Sequence, residues 1–237
     1  MAEFQIVGSE TVADVGFLQL TEEEVAAPDD ERLIRYVVRH PGAVVVVPVD
    51  ASGEAALLVR QYRVATDSDL LEVPAGKRDV DGEPPEETAR RELEEEIGHR
   101  PGRLVKLAEF YNSPGFCDEY SHLYCALDLE EIDGPRGVNA EERAMSVERV
   151  AFAAVDGLVA SGALCDAKSI IGLELARRFL AGEYPGMSHD VTDQPLVVGR
   201  GNLLLSQLEE ADVGDRLRPD DLELSHAPRR SRLEQVE

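Results

Sequence analysis

The sequence predicts an α+β fold built on a mixed β-sheet, and three observations lead there. Residues 43–49 form a continuous apolar run rich in Val, the pattern of a strand buried on both faces. Two segments, 84–97 and 166–181, carry helix start and stop signals. The other strand-like stretches fall among them without a regular βαβ rhythm, which argues against a doubly wound sheet.

Taken in order, residues 4–20 and 33–39 hold short apolar stretches broken by acidic residues and read as strands, with polar 22–31 as a loop between them. His40-Pro41-Gly42 marks a turn before the 43–49 strand. After a turn at 50–53, residues 55–64 supply a further strand, expected to be the hairpin partner of 43–49. In 84–97 a proline falls in the first turn and Gly98 stands just past the end. Stretches 104–111, 122–127 and 144–152 alternate like strands. Asp166 is placed to cap a second helix carrying Ile170, Leu173 and Phe179, with Gly182 as its stop. Beyond residue 184 the pattern weakens. The chain therefore divides into an N-terminal strand region (1–40), a main domain (41–184) and a polar extension (185–237) expected to be partly or wholly disordered.

The formal charge of −24 repels nucleic-acid backbones, and no basic patch offsets it, so a nucleic-acid partner is not expected. A phosphate-bearing substrate would need divalent cations to mediate. No apolar run is long enough to span a membrane and no signal peptide is visible. Three cysteines without a CxxC pair suit reduced thiols and a cytoplasmic location.

The stretch 76–98, GKRDVDGEPPEETARRELEEEIG, is the informative one. Residues three and four apart share a helical face, so Glu92, Glu95 and Glu96 project together. Clustered carboxylates repel unless a cation sits among them, and hard oxygen ligands without His or Cys select Mg²⁺ or Mn²⁺. Taken alone, such a run is more often a solvated acidic face.

The spacing changes that reading. Glu83, seven intervening residues, then Arg91-Glu92-Leu93-Glu94-Glu95-Glu96-Ile97-Gly98, with Gly76 upstream, resembles the box of the Nudix hydrolase family. Two departures stand out: six residues separate Gly76 from Glu83 where the pattern has five, and His99 replaces an aliphatic residue. Neither touches a ligand position. The resemblance implies a Nudix fold, a mixed sheet sandwiched between helices with a small N-terminal antiparallel sheet. It implies Glu92, Glu96 and Glu95 as metal ligands with the carbonyl of Ala75, and Glu83 and Arg91 as a structural pair holding the loop to the helix.

Pro114 stands sixteen residues after Gly98, within Ser113-Pro114-Gly115-Phe116-Cys117-Asp118-Glu119, and is similar to the loop marking the ADP-ribose pyrophosphatase branch. Arg60-Gln61-Tyr62-Arg63 after an apolar strand resembles the same branch. Arg60 is the expected diphosphate contact, since guanidinium forks match phosphate oxygens, whereas Arg63 reads equally well as an edge-strand charge. The branch resemblance further implies Glu72, Pro114 and Glu119 as ligand contacts, and Tyr36 and Arg39 near the adenine. A loop glutamate would act as base, Glu142 or its neighbour Glu141, on the Gly- and Pro-containing stretch 134–144. Mg²⁺ (or Mn²⁺), ADP-ribose as substrate, AMP and ribose 5-phosphate as products, and a homodimer completing the site complete the expectation. Its rivals are hydrolysis of another nucleoside diphosphate derivative, such as a nucleotide sugar or NADH, and a non-catalytic sensor of ADP-ribose.

Overall fold

Val44, Val45, Val46 and Val47 have no exposed surface, and the reason is a strand with helices on both sides. The structure, a computed structural model, describes residues 3–133, 137 and 140–187. Of the 185–237 extension expected to be disordered, residues 188–237 lie outside the described residues, as do 134–136 and 138–139 of the expected base-bearing loop.

Three strands, β1 (Gln5–Asp14), β2 (Gln19–Ala26) and β3 (Arg32–Arg39), form an antiparallel sheet in sequential order. The main domain follows with β4 (Ala43–Pro48), β5 (Ala55–Arg63), β6 (Ser68–Glu72), β7 (Ala75–Lys77), α1 (Pro85–Ile97), β8 (His99–Tyr111) and β9 (Tyr120–Glu131). It ends with α2 (Ala140–Ala144), β10 (Ser146–Ala151), α3 (Val155–Ser161) and α4 (Ala167–Leu180). The central sheet runs β7-β4-β9-β8 and is mixed, because β4 and β9 are parallel while the other pairs are antiparallel. A second sheet runs β10-β5-β6. The α+β expectation holds.

Side chains alternate along β4, so its valines divide between two cores. Val44 and Val46 meet Ala89, Leu93 and Ile97 of α1. Val45 and Val47 meet Leu173 and Ala176 of α4. A Cβ on Gly172 would lie 3.0 Å from Val47 Cγ2 and 3.2 Å from Leu123 Cδ1, so glycine lets α4 settle close on the sheet. The Asp166 side chain accepts from the Ser169 N–H at 3.0 Å, the N-cap read from sequence.

Several local expectations are corrected. The strands of residues 43–49 and 55–64 are not hairpin partners: beyond a single bridge at Val49–Ala56 they part into different sheets. Both faces of β4 are apolar, and it pairs instead with β7 and β9. The polar segment 22–31 is not all loop, since β2 runs to Ala26. Glu23 is 2% exposed there because Thr21 and Arg39 both donate to it, at 2.6 Å each. With Ser9 donating as well, at 3.1 Å, the charge fits a strand interior that composition alone would refuse. The strands β6 and β7 and the short helices α2 and α3 had no recognised signal.

Candidate active site

The helix α1 buries Pro85, Thr88, Ala89, Glu92, Leu93, Glu96 and Ile97, a single stripe at three- and four-residue spacing. Two glutamates thus occupy core-facing positions. Pro84 caps the helix in extended geometry (φ −61°, ψ 146°), and Gly98 closes it in the left-handed region (φ 68°), donating to the carbonyls of Leu93 and Glu94. Start and stop fix the phase that turns Glu92 and Glu96 inward.

Strand β7 receives them. A Cβ on Gly76 would lie 1.9 Å from Glu92 Cδ, so this position admits only glycine while the carboxylate keeps its place. The Ala75 N–H donates to Glu96 Oε2 at 3.2 Å, which sets the backbone expected to supply a carbonyl ligand beside that carboxylate. Arg91 reaches Glu83 at 3.4 Å, Glu92 at 2.8 Å and Glu95 at 3.3 Å. Glu83 also accepts from Thr88 Oγ1 at 2.8 Å, so the expected Glu83–Arg91 clamp between loop and helix is present.

Burial pushes the Glu92 carboxyl up to about 7; Arg91 opposes this, while Glu95 and Glu142 add to it. Burial likewise pushes Glu96 up to about 8, with Glu92 and Glu142 adding. Glu142, on α2, therefore acts electrostatically on both carboxylates, whereas Glu141 on the same helix is exposed. Of the two candidate bases, Glu142 is the one whose charge reaches both carboxylates.

Among the described residues no three acidic, imidazole or thiol groups converge as a ready-made metal cage. Arg91 lies between Glu92 and Glu95 and holds them by separate bonds. The donor set nevertheless fits a hard divalent cation: carboxylates and a backbone carbonyl beside a glycine-floored recess, with anionic charge that burial leaves poorly solvated. A cation would satisfy what Arg91 satisfies only in part.

A testable consequence concerns stability. Both carboxyls titrate above the unfolded value near 4.5, so the native state binds more protons than the unfolded state up to about 7 and 8. Stability then falls as pH rises across that interval. Thermal melts of chelator-treated protein from about pH 5 to about pH 8 should show a falling Tm, and Mg²⁺ should flatten the slope by favouring the ionised forms. Equal slopes with and without Mg²⁺ would count against a cation at this cluster.

The two arginines of the 60–63 segment separate. Alternation puts Arg63 with Val59 on the α1 side of the second sheet, and Arg60 with Leu58 on the other. Arg60 is held by Glu148 at 2.5 and 3.2 Å, while Arg63 interacts electrostatically with Glu96. The arginine on the carboxylate side is Arg63, for which an edge-strand charge was an equal reading; its parity with Val59 was the available signal. Glu72 is 1% exposed and is held by Arg63 and Lys168, so it orients cations rather than standing open to a ligand. Burial pushes its carboxyl up, but these two cations outweigh that and hold it below the usual carboxylate range.

Pro114 lines a shallow pocket of about 200 Å³ with Val37, Arg39, Tyr111, Phe116 and Asp118. Arg39 and the Pro114 loop therefore line one pocket. Besides Glu23, Arg39 holds Asp118 at 3.0 Å, and the backbone carbonyl of Glu119 accepts from the Asn112 N–H. Tyr36 is half-exposed on the opposite face of β3 from Arg39 and donates to Glu22 at 2.7 Å.

The model of the NUDIX domain matches residues 38–168. An ADP-ribose pyrophosphatase of Bacillus subtilis (strain 168) is 35% identical over 172 residues, covering 73% of this chain and 91% of that one. An ADP-ribose pyrophosphatase of Mycobacterium tuberculosis (strain ATCC 25618 / H37Rv) is 34% identical over 171 residues, covering 72% and 82%. A crystal structure of an ADP compounds hydrolase superposes with a TM-score of 0.67 at 25% identity, covering 76% of this chain and 96% of that one.

Proposed function

The chain belongs to the NUDIX domain family, and from that premise we propose that it hydrolyses ADP-ribose to AMP and ribose 5-phosphate with Mg²⁺ as cofactor. The observation that carries the chemistry is the buried stripe of α1, in which Glu92 and Glu96 replace apolar residues. Their burial against β7 is costly for stability and is explained by a cation held there. The names of the relatives support the substrate.

Glu92, Glu96 and Glu95, with the Ala75 carbonyl, would hold the ion. A bound divalent cation supplies charge neutralisation of the diphosphate and acidifies water. The chain's own residues do the rest. Arg63 meets the diphosphate from the carboxylate side of the second sheet. Glu142 takes a proton from the attacking water as its oxygen bonds to phosphorus, and the phosphorus–oxygen bond of the diphosphate bridge breaks. Gly76 keeps the recess open for Glu92, and the Glu83–Arg91 clamp holds the loop against the helix. The pocket between Arg39 and Pro114 is suited to the remainder of the nucleotide.

The N-terminal sheet supports assembly as a homodimer. Ile6, Val12 and Ile34 are exposed on its strands, with Phe4 just before β1, apolar surface that a second copy could cover. No described helix is long and apolar enough to cross a membrane. Free Cys117, Cys125 and Cys165 agree with a reducing, cytoplasmic setting.

Chromatography of reaction products tests the proposal. With Mg²⁺, ADP-ribose should yield AMP and ribose 5-phosphate, faster than GDP-mannose, NADH or a nucleoside triphosphate is consumed. The Glu142→Gln variant should lower kcat by about 10²–10⁴-fold with substrate affinity nearly unchanged. Faster cleavage of another substrate would reassign specificity, and an unchanged kcat would remove Glu142 from the base role.

A further inference from the structure

Glu72 ends β6 in the interior, and three elements converge on its carboxylate. Arg63, at the end of β5, donates through Nε at 2.7 Å and Nη2 at 2.8 Å, a planar fork on one edge of the guanidinium. Lys168, in the first turn of α4, donates from Nζ to Glu72 Oε2 and pairs with Asp166 at 2.9 Å. The adjacent backbone is tied to the same helix, since the Val73 N–H donates to Ser169 Oγ at 2.8 Å. Two residues later the chain reaches Ala75 and Gly76.

We infer that Lys168 is a positioning residue for diphosphate binding, acting through Glu72 on Arg63. The inference rests on the placement of Arg63 at the diphosphate. With Nε and Nη2 committed to Glu72, the guanidinium plane is fixed and Nη1 lies on the opposite edge, pointing away from Glu72. A carboxylate shared between two cations neutralises neither fully. Lys168 draws on the same oxygen as Arg63 Nη2, so Arg63 keeps positive charge for a phosphate oxygen. Without Lys168, Glu72 would neutralise Arg63 more completely and could tilt its fork. Arg63 stays partly open, with 41% of its side chain exposed, whereas Lys168 is 16% exposed and acts from behind.

The test measures kcat and KM for ADP-ribose at saturating Mg²⁺, calorimetric affinity for ADP-ribose without metal, and Tm. The proteins are wild type, Lys168→Met, Lys168→Arg, Arg63→Ala and the double variant Lys168→Met/Arg63→Ala. Lys168→Met should raise KM and weaken the metal-free affinity about tenfold, with kcat little changed. Lys168→Arg should restore most of the loss. In the Arg63→Ala background Lys168→Met should have no further effect on KM. An equal KM effect in both backgrounds overturns the inference, as does a lowered Tm with KM and affinity at wild-type values. If Arg63→Ala itself leaves KM unchanged, the Arg63 assignment fails and the inference with it. If Arg63→Ala raises KM while Lys168→Met is silent, only the inference fails. Should Lys168→Met not fold, Lys168→Gln, which keeps a donor for Glu72 without the charge, is read the same way.

Discussion

Gly76→Ala is expected to remove nearly all turnover while leaving the rest of the fold in place. The new Cβ would stand 1.9 Å from Glu92 Cδ and 2.1 Å from Glu92 Oε1, inside any permissible contact. The pressing atoms belong to a side chain, so the cheapest relief is to swing the Glu92 carboxylate out of its recess. That rotation removes a ligand and breaks its 2.8 Å bond to Arg91. Strand β7 pairs with β4 at Gly76 through backbone bonds that alanine does not disturb. The stability cost should therefore stay within about 1–3 kcal/mol, the range for an overpacked site. Turnover should fall by a hundredfold or more, on the order of several kcal/mol of lost cation-mediated stabilisation. Steady-state kinetics across a Mg²⁺ titration, alongside a thermal melt, decides it. Wild-type turnover at ordinary Mg²⁺ would mean that Glu92 is not a ligand.

Glu96→Gln should be at least as damaging to activity and yet gentle on the fold. Glu96 is 6% exposed, and its carboxyl is pushed up to about 8 by burial and by the neighbouring Glu92 and Glu142. Without metal much of it is already neutral near pH 7, so an isosteric amide removes little that the apo protein uses. The bond from the Ala75 N–H can persist to the amide oxygen. What is lost is an anionic ligand, and turnover should drop by roughly a hundredfold or more. Chelator-treated Glu96→Gln should melt no lower than chelator-treated wild type at pH 8, and Mg²⁺ should raise its Tm less. A variant with near-normal turnover at saturating Mg²⁺ would remove Glu96 from the ligand set.

The parts of the site confined to one helix were legible in the sequence. Glu92 and Glu96 share the buried stripe that spacing alone suggests, with Glu95 at its margin, and the proline and glycine signals at 84–98 fix the phase of that face. The clamp of Glu83 and Arg91 was legible only through resemblance to a family pattern, since no local rule pairs residues eight apart across a loop. Pairing between strands was less accessible. A short turn joins β4 to β5, yet β4 takes a parallel partner some eighty residues away because both of its faces are apolar. Glu23 misled for a similar reason: its partner Arg39 is sixteen residues distant, and an acidic run reads as loop until that partner is known. Arg60 and Arg63 could have been separated by strand parity, which places Arg63 with Val59 and the helix α1. Nothing local reveals Lys168 behind Glu72, because β5, β6 and α4 meet only in the folded chain.

The claim on which the mechanism depends is that the inward carboxylates of α1 grip a divalent ion. Mn²⁺ binding, read from loss of the free-ion paramagnetic resonance signal, tests it without reference to turnover, comparing wild type with a Glu92→Gln/Glu96→Gln double variant of matched Tm. Wild type should deplete free Mn²⁺ and release it when Mg²⁺ is added, and the double variant should leave the signal near that of buffer. Equal depletion by both proteins would place the ion elsewhere and contradict the account.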